Sequence, residues 1–220
     1  MLLVNEVFDT VQGEGAHTGM PATFVRLHGC DVGCPFCDTK YTWHINPARE
    51  IDADAMYSKT VADDTYAKVD PVGLASNIAG RQPRGVVITG GEPCIYDLTA
   101  LTRLLADRKA TVAIETSGTM PINVSDHTWV TVSPKIGMPG GFDVRADAVE
   151  RADEIKWLVG NEKHITALLD FSKQHSHHMT AAVYLQPLSR NKKATDLAIE
   201  CATKYGWRVS IQVHALIGLR

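Results

Sequence analysis

Residues 23–37 read TFVRLHGCDVGCPFC, an apolar run followed at once by three cysteines. A continuous apolar run such as Thr23–His28 is typical of a strand that is covered on both faces of a sheet. The cysteines, at positions 30, 34 and 37, would then lie on the loop that follows this strand. In α/β sheets this carboxyl edge is where ligands bind, so we expect a ligand site there.

Similar runs recur along the chain, and most of them are continuous rather than alternating. They are Val86–Thr89, Thr111–Glu115, Trp129–Val132, Glu154–Val159, Ala182–Gln186 and Val209–Val213. Helical patterns lie between several of these runs, one with leucines at positions 98, 101, 104 and 105 and another over Ala194–Tyr205. Strands that alternate with helices predict βα units around a parallel sheet.

The chain has 220 residues, fewer than the ~250 residues of a closed eight-stranded β/α barrel. We therefore predict an α/β fold, a shortened and incomplete β/α barrel of about six parallel strands. No linker divides the sequence, so we expect a single domain over residues 1–220. The stretch from Asn46 to Asp70 is polar and weakly periodic, which predicts an insertion or a mobile segment.

The composition argues against several classes of protein. With 45% hydrophobic and 21% charged residues, the chain is globular rather than disordered. A net charge of -3 argues against nucleic acid as the main partner. The start, MLLVNEVFDTVQGEG, does not resemble a signal peptide, and no apolar run approaches the ~20 residues of a membrane span. We expect a cytoplasmic protein with no membrane partner.

The clustered cysteines predict a metal centre. Iron–sulfur clusters usually take four thiolates, so three would leave one iron open to a substrate or cofactor. A structural zinc site with His28 or His44 as fourth ligand is an alternative, although the sequence lacks the second half of such a site. Three unliganded thiols would be an oxidation liability. Cys94 and Cys201 stand alone, a position typical of small buried apolar residues.

A second motif, TGGEP at residues 89–93, directly follows the run Val86–Thr89. Two glycines let the backbone approach a ligand closely, and Glu92 supplies an anion suited to an ammonium group. By itself such a turn is an ordinary βα loop. Its place after a strand and downstream of the cysteines favours a binding site.

Cys30, Cys34 and Cys37, with Phe36 before the last cysteine, and the TGGEP motif together resemble the signature of the radical S-adenosylmethionine (SAM) superfamily. Further motifs narrow the resemblance: QGEG at 12–15, CDTKYTW at 37–43, ETSG at 115–118, SPK at 133–135 and QVH at 212–214. In this order they resemble the 7-carboxy-7-deazaguanine synthase family. The likeness runs from near residue 5 to the C-terminus.

The resemblance implies a radical SAM lyase with a shortened barrel. Its reaction contracts the ring of 6-carboxy-5,6,7,8-tetrahydropterin to 7-carboxy-7-deazaguanine with loss of ammonia, on the route to queuosine and other 7-deazapurines. The three cysteines would hold a 4Fe-4S cluster that binds SAM, and the 5'-deoxyadenosyl radical made from SAM would take a substrate hydrogen. No side chain is then expected to act as a catalytic acid or base.

The resemblance also assigns residues to each ligand. Contacts with SAM would come from Gly91, Glu92, Ser117, Ser133, Pro134, Lys135 and Gln186. The pterin would be bound by Val11, Gln12, Gly13, Glu14, Arg26, Thr89, His214 and the terminal Arg220. Arg26 can pair with a carboxylate, but it lies in an apolar run, so an internal salt bridge is the alternative. Mg2+ would be bound by Thr39, with Asp38 as the alternative on grounds of charge.

A homodimer and an electron donor such as flavodoxin are further implications of the resemblance. Two other functions stay open: a radical SAM activating enzyme that removes hydrogen from a partner protein, and a zinc or iron–sulfur regulatory module without catalysis. Activating enzymes share the cysteine and TGGEP motifs, but Gln12–Gly15 together with Thr39 suits a small pterin and Mg2+ rather than a peptide. Metal content and SAM cleavage distinguish the regulatory module from both enzymes.

Overall fold

One sheet organises the chain, whose computed structural model describes residues 1–188 and 191–219. In chain order its strands are β1 (Leu2–Val11), β2 (Pro21–Leu27), β3 (Ala67–Val69), β4 (Gly85–Gly90), β5 (Thr111–Thr116), β6 (Trp129–Val132), β7 (Glu154–Val159), β8 (Ala182–Pro187) and β9 (Arg208–Val209). Across the sheet they follow the order β3-β1-β2-β4-β5-β6-β7-β8-β9. Every neighbouring pair from β2 to β9 is parallel, whereas β1 runs antiparallel to both β2 and β3.

This topology confirms the predicted incomplete parallel barrel. The sheet order ends at β3 and β9, so within the described residues the sheet is not closed. Each predicted apolar run coincides with one of the parallel strands, but the last one is shorter than predicted. β9 covers only Arg208–Val209, because the chain then turns toward the segment after β1, where the Val213 N–H donates to the Gly13 carbonyl at 3.0 Å.

The prediction missed β1, which carries polar residues among its apolar ones. Asn5 and Glu6 are both buried, and both have partners. The Asn5 side-chain amide donates to the backbone carbonyls of Asp63 and Thr65 at 2.8 Å each, and Arg26 Nε donates to Glu6 at 2.6 Å. Buried polar groups that are hydrogen-bonded are compatible with a core strand, so a pattern that treats them as exposed does not detect it.

The stretch from Asn46 to Asp70, predicted to be an insertion or a mobile segment, lies in sequence between β2 and β4 and is folded onto the sheet. It forms a short helix, α1 (Ala53–Tyr57), and the edge strand β3, and it buries Met56 and Tyr66 completely or nearly so. Two of its aspartates are helix N-caps: the Asp52 carboxylate caps α1, and the Asp70 carboxylate caps the following helix. The segment therefore covers the β1 edge of the sheet and belongs to the core.

Six further α-helices lie within the described residues: α2 (Pro71–Ala79), α3 (Thr99–Asp107), α4 (Ala146–Arg151), α5 (Glu162–Gln174), α6 (Lys192–Tyr205) and α7 (Val213–Leu216). The two predicted helical patterns correspond to α3 and α6. In α3, Leu101 and Leu105 are buried, as the leucine spacing predicts. α6 is capped by the Asn191 side chain and ends at Gly206, whose φ is 72°. None of the helices in the described part of the chain is long and apolar enough to cross a membrane.

The strand directions place the cysteine loop and the turn after β1 at opposite ends of the sheet. The cysteine loop follows β2 and therefore lies at the carboxyl ends of the parallel strands. β1 runs the other way, with Val11 opposite Pro21, the first residue of β2. The turn after β1, residues 12–15, therefore begins near the amino ends of the parallel strands.

Candidate active site

A cavity of about 430 Å³ is lined by both loops. The predicted site residues that line it are Val11, Gln12, Glu14, Arg26, Cys30, Cys34, Cys37, Thr39, Thr89, Gly91, Glu92, Ser117, Ser133, Lys135, Gln186 and His214. Gly13 and Pro134 are not part of the lining, although each lies next to residues that are. The predicted contact of Arg220 falls outside the described residues. The sheet thus gathers side chains from distant parts of the sequence around one space.

The three cysteines form one end of this cavity, which we call the thiol end. Their loop is held by backbone hydrogen bonds: the Gly29 N–H donates to the Thr42 carbonyl at 2.7 Å, and the Cys30 N–H donates to the Trp43 carbonyl at 3.1 Å. A tight turn brings the Cys37 N–H to 3.0 Å from the Cys34 carbonyl oxygen. Backbone hydrogen bonds therefore shape the loop that brings the cysteines to the cavity.

The protonation of these thiols depends on what they bind. Burial raises the pKa of Cys30 to about 11, and the nearby Glu92 carboxylate adds to this effect. Burial likewise raises the pKa of Cys34, against the opposing charge of Lys135. Both are therefore protonated at neutral pH until a metal displaces the protons, which is the usual behaviour of cysteines that ligate metals.

The arrangement fits an iron–sulfur cluster better than a zinc ion. His28 is buried, with Nε2 3.0 Å from the His44 carbonyl oxygen and its ring stacked on Tyr66, so it does not face the cysteines. Among the described residues, no three cysteine, histidine or carboxylate side chains are grouped tightly enough to hold a single metal ion. Three thiols around one cavity can hold an iron–sulfur cluster that leaves one iron open.

The TGGEP loop packs directly on the cysteine loop. A Cβ on Gly91 would lie 2.2 Å from the Gly29 carbonyl oxygen, so only glycine permits this contact. The Glu92 carboxylate is buried and accepts hydrogen bonds from Thr116 Oγ1 at 2.5 Å, from the Ser117 N–H at 2.8 Å and from the Cys94 N–H at 3.0 Å. These bonds join the ends of β4 and β5, and Glu92 also lines the cavity.

Lys135 brings a cation to the same part of the cavity. Its Nζ donates to the Ser133 hydroxyl at 2.6 Å and to the Ser133 carbonyl at 2.9 Å. Burial lowers the pKa of Lys135, while the charges of Cys34 and Glu92 act in the opposite direction. The SPK segment therefore offers a hydroxyl and an ammonium group, both of which can bind a carboxylate or a ribose.

A second cluster lies deeper in the cavity and consists of Glu14, Glu115 and Lys156, which we call the carboxylate end. The Lys156 ammonium group donates to Glu14 Oε2 at 2.6 Å and to Glu115 Oε2 at 2.5 Å. Three amide side chains complete the network: Gln186 and Gln212 donate to Glu14 Oε1 at 3.2 and 2.8 Å, and Gln12 donates to Glu115 Oε1 at 3.2 Å.

Two carboxylates share one ammonium group here, and their pKa values move apart. Burial acts to raise the pKa of Glu14, but the charge and hydrogen bond of Lys156 outweigh it and bring that pKa down to about 2. Burial and the charge of Glu14 raise the pKa of Glu115 despite Lys156. The two carboxylates together hold the pKa of Lys156 above its usual value, although burial opposes them. Lys156 is therefore a permanent cation at the carboxylate end.

The C-terminal segment closes the cavity beside Glu14. The Gly15 N–H donates to Ser210 Oγ at 2.9 Å, next to the Val213–Gly13 backbone bond. A Cβ on Gly13 would lie 2.1 Å from Nδ1 of His214, so glycine is required for this close approach. These contacts bring His214 to the cavity, as the sequence predicts.

Comparison with known proteins identifies the family. Residues 24–154 match the radical SAM superfamily. A 7-carboxy-7-deazaguanine synthase from Escherichia coli (strain K12) is 44% identical over 219 residues, 98% of each chain. The chain belongs to the 7-carboxy-7-deazaguanine synthase family.

Other members of the family support this assignment. The synthase of Buchnera aphidicola subsp. Schizaphis graminum is 36% identical over 219 residues, which cover 99% of this chain and 98% of that protein. The crystal structure of QueE from Escherichia coli superimposes with a TM-score of 0.93 at 44% identity, over 97% of this chain and 94% of that chain. These likenesses favour neither the activating enzyme nor the regulatory module.

Arg26 and Thr39 also have partners within the protein. Arg26, predicted to meet the substrate carboxylate, donates from Nε to Glu6 while it also lines the cavity. A guanidinium group has five donors, so one bond to Glu6 does not exhaust it. Thr39 Oγ1 lies 3.4 Å from Cys37 Sγ and 3.4 Å from the Gly90 carbonyl oxygen, where the two loops of the thiol end meet.

The sequence motifs assign no role to Glu115 or Lys156. Glu115 stands in the quoted ETSG motif, and Lys156 stands inside an apolar run that was predicted to be covered on both faces. A lysine inside a covered apolar strand is itself a signal of a functional or structural cluster, because a buried lysine needs a carboxylate partner. Its partners, Glu14 and Glu115, lie 142 and 41 residues away, too far for a local pattern to reveal.

Proposed function

We propose that this chain catalyses the ring contraction of 6-carboxy-5,6,7,8-tetrahydropterin to 7-carboxy-7-deazaguanine, with loss of ammonia, on the route to queuosine and related 7-deazapurines. The observation that carries the proposal is that one cavity of about 430 Å³ joins the thiol end to the carboxylate end. A cofactor that makes radicals and a polar heterocycle can therefore meet inside one protein cavity.

The thiol end suits the cofactors. Cys30, Cys34 and Cys37 would hold a 4Fe-4S cluster, with one iron left for SAM. When bound, cluster and SAM supply the radical that removes a hydrogen atom from the substrate. The chain's own part is to position SAM: the backbone at Gly91 lines the cavity beside the cysteines, and Lys135 can neutralise the SAM carboxylate. The Ser117 and Ser133 hydroxyls and Gln186 line the same space.

The carboxylate end suits the pterin. A pterin presents hydrogen-bond donors and acceptors side by side, and Glu14 and Gln12 offer a carboxylate and an amide that can pair with them. Arg26 and His214 also line the cavity and are suited to the substrate carboxylate. Lys156 keeps Glu14 ionised and oriented, so that it accepts hydrogen bonds rather than donating them.

Mg2+ completes the proposed site at Thr39. Mg2+ prefers oxygen ligands and often bridges a protein group to its substrate. The Thr39 hydroxyl lies between Cys37 and Gly90 at the cavity wall, and Asp38 lines the same wall. Thr39 is the ligand that the family resemblance implies, and Asp38 is the carboxylate nearest in sequence.

The chain's surroundings form a separate part of the proposal. We infer an electron donor such as flavodoxin and a homodimer from the family resemblance, and a cytoplasmic location from the clustered cysteines, which a reducing compartment keeps free. Free cysteines at the thiol end are compatible with a reducing compartment. Light scattering of the purified protein tests the dimer, and reduction by flavodoxin in place of a chemical reductant tests the donor.

The decisive experiment is an anaerobic reaction. The protein is reconstituted with iron and sulfide and then mixed with SAM, reductant, Mg2+ and 6-carboxytetrahydropterin, and the products are analysed by mass spectrometry. We expect 7-carboxy-7-deazaguanine that depends on the enzyme. Formation of 5'-deoxyadenosine alone would keep the radical chemistry and reject the substrate, while neither product from a cluster-loaded protein would favour the non-catalytic module.

A further inference from the structure

Glu154, the first residue of β7, is a buried carboxyl group to which the resemblance assigns no role. Only 1% of the residue is exposed. Its Oε2 accepts a hydrogen bond from the Ala16 N–H at 2.8 Å. Its Oε1 is also buried, and within the described residues it has no hydrogen-bond partner. One oxygen of this carboxyl group is used to hold a loop, and the other is not used as an acceptor.

The loop that Glu154 holds is the turn that carries Glu14. A Cβ on Gly15 would lie 2.1 Å from Glu154 Oε1, so the carboxyl group fills the space that a side chain would occupy. The φ of Gly15 is 65°, which also favours glycine. From the other side, Ser210 Oγ accepts the Gly15 N–H. Glu154 and Ser210 therefore hold the backbone that follows Glu14.

The charges around Glu154 disfavour its ionised form. Lys156 lies two residues along the strand, on the same face, and its ammonium group already donates to both Glu14 and Glu115. The register neighbours of Glu154 on β6 and β8 are Thr131 and Ala182, which are uncharged. His17 lies on the same turn, where the charge of Asp153 acts to raise its pKa against burial. Asp153 itself forms an ion pair with Arg151 at 3.2 Å. An ionised Glu154 would thus be a third carboxylate against one ammonium group.

Burial and these neighbours act in the same direction. Burial raises the pKa of Glu154 to about 7, and the charges of Glu115 and Glu14 add to that effect, while Lys156 and the Ala16 N–H oppose it. A protonated carboxyl group still accepts the Ala16 N–H through one oxygen. In the protonated form, the unpartnered oxygen of Glu154 carries no negative charge.

We propose that Glu154 is a positioning residue that works as a neutral carboxylic acid, holding the Gly15–Ala16 backbone so that Glu14 faces Lys156 at the substrate end of the cavity. The inference rests on the proposed function for its effect on substrate, but its effect on the turn is independent of any reaction. Ionisation of Glu154 sets a third carboxylate against Glu14 and Glu115. Although the hydrogen bond from the Ala16 N–H strengthens with charge, this repulsion displaces the turn and weakens substrate binding, and it leaves the thiol end unchanged.

The test compares the wild-type protein with Glu154→Gln at about one pH unit below and above the pKa of about 7. Glutamine has nearly the same shape, accepts the Ala16 N–H and carries no charge at either pH. We expect the wild-type KM for 6-carboxytetrahydropterin to rise up to about tenfold at the higher pH, since the ionised form then outnumbers the neutral form by about that factor. The KM of E154Q should stay near the low-pH value, and kcat should change little in either protein.

Hydrogen–deuterium exchange supplies a readout that needs no turnover. At the higher pH, amides of residues 15–17 should exchange faster in the wild type than in E154Q at the same pH, and no such difference should appear at the lower pH. Glu200→Gln, an exposed position on α6, is the matched control and should behave as the wild type does.

The outcomes separate this proposal from the proposed function. An exchange difference that follows pH in a protein that makes no 7-carboxy-7-deazaguanine would support the positioning role and reject the reaction. Identical pH profiles in wild type and E154Q would overturn the positioning role whatever the reaction. So would a high KM of E154Q at both pH values, or a failure of E154Q to fold, because the native side chain would then have to be charged.

Discussion

The two ends of the cavity are built in opposite ways. The thiol end comes from residues 29–43 and 89–93. Backbone hydrogen bonds and a glycine contact shape it, and the Glu92 carboxylate joins it to β5. The carboxylate end comes from side chains on five separate segments, and charge-assisted hydrogen bonds converging on Lys156 and Glu14 hold it together. Two short stretches of sequence are therefore enough to encode the metal-binding loop. The recognition surface for a heterocycle instead needs residues from the whole sheet.

The largest expected effect tests whether the thiol end is self-sufficient. Cys34→Ala should abolish cluster loading and with it SAM cleavage, because a ligand to iron is lost. The fold should survive, because backbone bonds shape the loop. Iron content after reconstitution, 5'-deoxyadenosine formation and circular dichroism measure the three quantities. Cys201→Ala on α6 is the control and should load iron normally. If C34A still cleaved SAM, Cys34 would not be a ligand.

The next effect tests the dependence of the carboxylate end on one cation. Lys156→Met leaves Glu14 and Glu115 without their shared ammonium group and should lower the free energy of unfolding by about 3–5 kcal/mol. Urea denaturation measures the change. Lys192→Met removes an exposed ion pair with Asp196 and should cost no more than about 0.5 kcal/mol.

A double variant sharpens that test. Glu115→Gln in the Lys156→Met background removes one of the two unpaired carboxylates and should recover part of the lost stability. Equal stability of the single and double variants would show that the carboxylates of Glu14 and Glu115 do not interact, contrary to the geometry.

The same contrast explains how far the sequence alone could predict this molecule. Cys30, Cys34 and Cys37 and the TGGEP loop are short motifs placed directly after apolar strands, so both their chemistry and their edge of the sheet could be predicted. The comparisons confirm the predicted family, and the topology confirms the open parallel sheet. What the sequence concealed are polar residues whose partners are distant, such as Asn5 in β1 and Lys156 in β7. A local pattern cannot pair residues that only the folded sheet brings together.

A smaller effect follows from the pKa of Glu14. Because Lys156 holds this pKa at about 2, below the unfolded value of 4.5, ionised Glu14 stabilises the fold above pH 4.5, and this contribution is lost as pH falls toward 2. We expect a loss on the order of 2 kcal/mol across that window. The free energy of unfolding as a function of pH should therefore fall less steeply in Glu14→Gln than in the wild type. Parallel curves would show that Glu14 does not gain stability from Lys156.

The smallest effect concerns Thr39, which contributes a hydroxyl rather than a thiol to the thiol end. Thr39→Ala removes the hydroxyl between Cys37 and Gly90 and with it the proposed Mg2+ ligand, but it leaves the cysteines and their backbone in place. Losing one neutral oxygen ligand should raise the Mg2+ concentration needed for half-maximal product formation by about tenfold, equivalent to about 1.4 kcal/mol, while SAM cleavage without Mg2+ stays unchanged. Asp38→Asn is the matched comparison, since it tests the carboxylate alternative on the same loop. A larger shift in D38N than in T39A would move the metal to Asp38, and an unchanged Mg2+ response in both variants would remove Mg2+ from this loop.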